Sequence, residues 1–141
     1  MSTPSSPEPA REDLLSASEL PEIISASWAA FECILTYADE FADQVTANFA
    51  TWMTAGAPAC EGRDALGRAP SMPAVGAYPS SFPRIAAAGE EAAAQLVGEL
   101  AALLEERLGA AVRMSAAPED AMACARAAEA AAEIRELFAG A

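Results

Sequence analysis

One stretch, residues 20–54, constrains the fold more than any other part of the chain. Ile24, Trp28, Phe31, Leu35, Ala38, Ala42, Val45, Phe49 and Trp52 recur at alternating spacings of four and three, so nine successive core positions of a heptad are apolar. Ile34 and Phe41 lie one flank away and widen the seam, while Glu32, Asp39, Glu40 and Asp43 fall on the opposite side. No Gly or Pro interrupts the run between Glu22 and Ala55. The spacing predicts one helix over 19–55, roughly 50 Å long at a rise of about 1.5 Å per residue. Burying each large seam residue is worth about 1.5–3 kcal/mol, so leaving the stripe in water would forgo on the order of 10–20 kcal/mol. Such a helix needs a partner surface. The candidate interaction stripe is Ile24, Trp28, Phe31, Leu35, Phe41, Val45, Phe49 and Trp52.

The remaining apolar material is thin. Of 141 residues 38 are Ala, which favours helix strongly but supplies little area to bury. All eight basic residues are Arg, and the formal charge of −13 argues against binding a phosphate backbone, which relies on clustered cations. Nucleic acid is therefore not an expected partner. A solvated, self-repelling acidic surface keeps a chain of this kind soluble. Cys33, Cys60 and Cys124 are odd in number and widely spaced, without a CxxC, so neither a disulfide framework nor a thiolate metal site is suggested. Reduced thiols, the lack of a secretory leader in Met1 to Pro9, and the lack of an apolar run long enough to span a bilayer give the expectation of a cytoplasmic protein with no transmembrane segment.

In chain order, residues 1–15 are Ser- and Pro-rich at their start and are expected to form a disordered tail, with a brief helical turn at Arg11 to Leu15 that could cover the end of the long helix. Residues 16–141 are expected to form a single helical domain. Ser16 with Glu19 has capping-box spacing, and Ser18 is an equal candidate for the N-cap, with Pro21 in the first turn. Gly56-Ala57-Pro58 is expected to end the long helix. Four Gly and four Pro between 56 and 80 predict a loop there, either a crossover between helices or a binding segment using Met72, Val75 and Tyr78. A second helix is expected over 82–113, with Ile85, Leu96, Leu100, Leu103, Leu104, Leu108 and Val112 on its apolar face. Its glycines and Ala triplets would receive the bulk of the first helix. A third is expected over 117–139, where Cys124, Ala127, Ala131, Ile134 and Phe138 form a thin stripe. The fold class that follows is all-α, an antiparallel helical bundle of three main helices with a long Gly/Pro-rich loop.

Chemistry is constrained by the complete lack of His. Ser-His-Asp and Cys-His arrangements cannot be built from this chain alone. The neighbouring acids Glu90-Glu91, Glu105-Glu106 and Glu119-Asp120 diverge by about 100° on a helix, and no glycine-rich loop carries the Lys-Ser/Thr of a phosphate cradle. A catalytic role, a cofactor and a metal are not expected.

Residues 82–138 resemble the phasin family, proteins that coat polyhydroxyalkanoate storage granules in bacteria. The resemblance rests on the long Ala- and Leu-rich segment Ile85 to Val112, the break Ser115-Ala-Ala-Pro118-Glu119-Asp120-Ala121-Met122, and a further Ala-rich helix. A Gln that often follows the break in phasins is replaced here by the Met122 to Cys124 region, and the aromatic usually found a turn later is lacking. The resemblance implies noncatalytic coating of a hydrophobic polymer surface by amphipathic helices. The alternative is a helical adaptor or assembly module that oligomerises and binds a protein partner. Two copies pairing through Trp28, Phe31, Leu35, Phe49 and Trp52 would complete a stripe that two Ala-rich helices leave partly open, so a homo-oligomer is expected.

Overall fold

The long heptad does not run on as one helix. A computed structural model describes residues 8–73 and 89–140, and five helices lie among them: α1 (Glu8–Ser16), α2 (Leu20–Ala42), α3 (Phe49–Gly67), α4 (Glu90–Met114) and α5 (Pro118–Phe138). The described residues are all-helical, without strands, but the three-helix count expected from sequence is replaced by five.

The helix expected over 19–55 stops at Asp43 and restarts at Phe49. The intervening Asp43, Val45, Thr46 and Asn48 are all among the weaker helix formers. Folding back decides the matter energetically. In a straight helix Phe41 and Trp52 would sit about 16 Å apart along the axis, whereas here their ring centroids are 5.1 Å apart. The chain supplies its own partner for the stripe.

Residues 56–67, expected as the first part of the loop, are helical. Pro58 lies inside α3 and is buried, although an interior Pro removes a helical hydrogen bond and costs about 3 kcal/mol. The compensation is a row of small buried residues facing α2, Ala55, Ala59 and Gly62. A Cβ on Gly62 would lie 2.4 Å from Cζ of Phe31, so only glycine lets the aromatic ring lie this close to the α3 backbone. The large-against-small packing expected between the first stripe and the 82–113 helix is thus found foremost between α2 and α3.

The start of the chain differs too. Residues 8–16, assigned to the expected tail, form α1, whose Ala10 and Leu14 are buried in the core while Leu15 is exposed. The α2 N-terminus is capped three residues beyond the expected Ser16-Glu19 pair and one beyond the alternative Ser18, with Glu19 as the N-cap: the Glu22 carboxylate accepts from the Glu19 N–H at 3.0 Å and the Ser18 N–H at 3.2 Å. Those two backbone bonds, Glu19 first, hold the Glu22 carboxyl below its ordinary range. The start of the helix expected over 82–113, residues 82–88 with Ile85, lies outside the described residues, as do Val75, Tyr78 and the rest of 74–80.

Cross-helix contacts set the directions. Phe31 meets Gly62 and Phe41 meets Trp52, so α2 and α3 are antiparallel. Glu105 meets Arg135 at 2.6 Å and Gly98 meets Phe138, so α4 and α5 are antiparallel. Trp52 packs on Phe138 at 4.7 Å while Ser71, just beyond α3, bonds Asp120 at the other end, which makes α3 and α5 antiparallel as well. Finally, Asn48 meets Glu90 at one end and Ala17 meets Arg107 at the other, so α2 opposes α4. Around the bundle the order is α2, α3, α5, α4, each antiparallel to its neighbours, with α1 laid across α2 and α4. Consequently α3 and α4 run in the same direction. The end of α3 and the start of α4 therefore lie at opposite ends of the bundle.

Candidate docking surface

The eight stripe residues do not share one environment. Ile24, Phe31 and Trp52 are fully buried and Phe41 is nearly so, all inside the core of this chain. Trp28 and Leu35 are half-buried and pack against that core. Phe49 is 36% exposed and Val45 is 99% exposed. The fold therefore separates the stripe: α2 and Trp52 keep it inside, and the turn after Asp43 carries Val45 out into solvent. A pairing of copies through Phe31 and Trp52 has no surface to use, because α3 and α5 already cover them.

What the turn exposes is a smaller apolar corner. Val45 stands on the turn, and Phe49 and Met53 follow one helical turn apart on α3, with Met53 59% exposed. Met53 is off the heptad seam and does not belong to the expected stripe. The signal that could have found it is the cluster of weak helix formers from Asp43 to Asn48, which resets the phase of the helix that follows.

A polar latch lies beside this corner. Asn48 Nδ2 donates to Glu90 Oε2 at 2.9 Å and to Oε1 at 3.3 Å, joining the α2–α3 turn to the first residue of α4. Thr46 Oγ1 and the buried Trp52 Nε1 approach the same carboxylate without completing a hydrogen bond of full geometry. Burial pushes the Glu90 carboxyl up, but the donors Asn48, Thr46 and Trp52 together outweigh it and hold it below its ordinary value. The opposite end of the bundle has its own tie. Asp120, buried in the first turn of α5, accepts from the Ser71 N–H at 3.0 Å and from its hydroxyl at 2.6 Å. At that end the Arg107 guanidinium also donates to the Ala17 carbonyl, satisfying an acceptor at the α1 C-terminus.

The thiols are core residues in two of three cases. Burial pushes Cys33 up to about 12, against a hydrogen bond with Tyr37 that lowers it, and burial with the nearby Asp120 charge pushes Cys124 up to about 11. Neither is poised as a thiolate nucleophile. Cys60 is half-buried, with Arg63 Nη2 at 4.0 Å from its sulfur. Among the described residues no group of three or more Cys, Asp or Glu side chains is placed to hold a metal ion, and no helix is long and apolar enough to cross a membrane. A groove of about 430 Å³ between α3 and α5 is open to solvent and lined by Glu61, Met122, Arg126, Glu129 and Glu133. Its floor is alanine. Comparison of the chain with protein-family models, with curated proteins and with solved structures finds no match.

Proposed function

We propose that the chain is a noncatalytic helical adaptor that docks on another protein through the apolar corner at the α2–α3 turn. The observation that carries this reading is Val45, fully in solvent on the turn, followed at the start of α3 by the exposed Phe49 and Met53. Single exposed apolar residues are ordinary, but a cluster on a rigid helix start offers area for docking at little ordering cost. Its test is a photo-crosslinking residue placed at position 45 in cells of the native host. A discrete crosslinked species that disappears with Met53→Glu supports the reading, and no crosslink at all sinks it.

A second reading is the coating of a hydrophobic granule surface. The observation that favours it is the α4–α5 hairpin, whose helices flank a short break at 115–117 with Pro118 opening the next helix. Adsorption through the stripe would require the α2–α3 hairpin to open, since Ile24, Phe31 and Trp52 face inward. Co-sedimentation with polyhydroxybutyrate particles separates the two. Binding accompanied by loss of the buried Trp52 fluorescence signature supports coating, while a protein that stays in solution beside the particles leaves the adaptor reading.

A further inference from the structure

The end of the bundle that carries the apolar corner is also its acidic end. No basic residue occurs anywhere from Glu12 to Gly62, nor from Gly89 to Glu106. The antiparallel arrangement brings the C-terminal turns of α2 together with the start of α4, so Asp39, Glu40, Asp43, Glu90 and Glu91 gather around the α2–α3 turn. The Asn48–Glu90 bond fixes that juxtaposition. Of these acids Asp39, Asp43 and Glu91 are exposed. Arg63, Arg68, Arg107, Arg113 and Arg126 lie toward the Asp120 end, and Arg135 is engaged by Glu105.

On this basis, and resting on the adaptor reading above, we propose that the corner of Val45, Phe49 and Met53 with its acidic rim takes a basic amphipathic segment of a partner protein. The apolar side of the segment would cover the corner, and its cations would meet Asp43 and Glu91. Charge decides among the possible occupants. A second copy would present the same acids to the same acids, which disfavours self-docking. An anionic lipid surface is repelled for the same reason. A cationic partner gains steering toward this end.

The test uses the full chain and a synthetic Leu/Lys amphipathic helix, with the matching Leu/Glu helix as control. Binding is followed by labelled-peptide anisotropy and by backbone shift mapping. Val45→Ser with Met53→Ser removes the apolar corner. Asp43→Lys with Glu91→Lys reverses the rim, and Glu12→Lys with Glu106→Lys reverses the same charge on the exposed surface elsewhere. The expected result is shifts confined to residues 39–53 and 90–91, with affinity falling about tenfold for the corner pair and for the rim pair and hardly at all for the remote pair. Equal losses from the two reversed pairs would mean unspecific attraction to an acidic protein and would overturn the proposal. Sedimentation that shows a dimer broken by the corner pair would also overturn it, by giving the corner to a second copy. If the position-45 crosslink in cells depends on Met53 but not on Asp43 and Glu91, the adaptor reading stands and the basic partner is wrong; if the crosslink does not form, both fall.

Discussion

The two hairpins of this bundle solve the same packing problem in opposite ways. In α2–α3 aromatic rings make the contact, with Phe31 seated over the Gly62 hollow and Phe41 on Trp52. In α4–α5 the buried side chains are mostly aliphatic, Leu100, Leu104 and Leu108 on one side and Cys124, Ala127, Ala130, Ala131 and Ile134 on the other, with a single ring, Phe138, against Gly98 at the end, and a short break joins the helices. A ring in a glycine hollow tolerates little change of shape on either side, whereas an alanine face can be approached by many partners. The first hairpin specifies the fold, and the second closes it.

Trp52 is where the hairpins meet, with Phe41 at 5.1 Å and Phe138 at 4.7 Å. Trp52→Ala should therefore give the largest loss, about 3–5 kcal/mol in urea unfolding. A loss under about 1 kcal/mol would mean that the hairpins do not share this contact.

The glycines give the sharpest contrast, because the same substitution should change sign between the hairpins. Gly62→Ala drives a methyl into Phe31 and should cost about 1–3 kcal/mol. Gly109→Ala has nothing within 4 Å of the added carbon and should stabilise by about 1 kcal/mol through helix propensity. Thermal denaturation of the two variants side by side settles it; equal shifts would erase the difference between the hairpins.

Acid should loosen the junction at the Glu90 end. The folded Glu90 carboxyl lies below the ordinary value of 4.5, so its stabilising share is present above that value and is lost as pH falls through the lower folded one. The gap in urea midpoint between the native chain and Glu90→Gln should close below that range, and a gap constant with pH would remove the latch from the account. The smallest effect is expected at Arg135→Ala. Its bond to Glu105 is 2.6 Å long but both side chains are about 40% exposed, so the loss should be small and shrink in salt.

The all-helical class was legible because alanine content and apolar periodicity agree, and the α5 stripe of Cys124, Ala127, Ala131, Ile134 and Phe138 is buried throughout. The division of the first heptad was not. Its apolar register continues through Val45, and only the weak helix formers around it hint that tertiary packing can turn the chain there. Gly56, Pro58 and Gly62 read as loop because local propensity was counted alone. Gly62 in particular is favourable in a helix here only because of Phe31, 31 residues earlier, whose ring rests on it. Of the candidate surface, Val45 and Phe49 belonged to the expected stripe, but Met53 and the acidic rim follow from an assembly of α2, α3 and α4 that no local pattern encodes.

The shared direction of α3 and α4 has a kinetic consequence. Each hairpin closes over a short turn, while bringing the two together closes the much longer connection between Gly67 and Glu90. Loop-closure entropy grows only slowly, about 0.6 kcal/mol for each doubling of length. Lengthening that connection should therefore slow the docking of preformed hairpins only slightly, and cutting it should leave two fragments able to find each other in a second-order reaction, with refolding that becomes concentration-dependent.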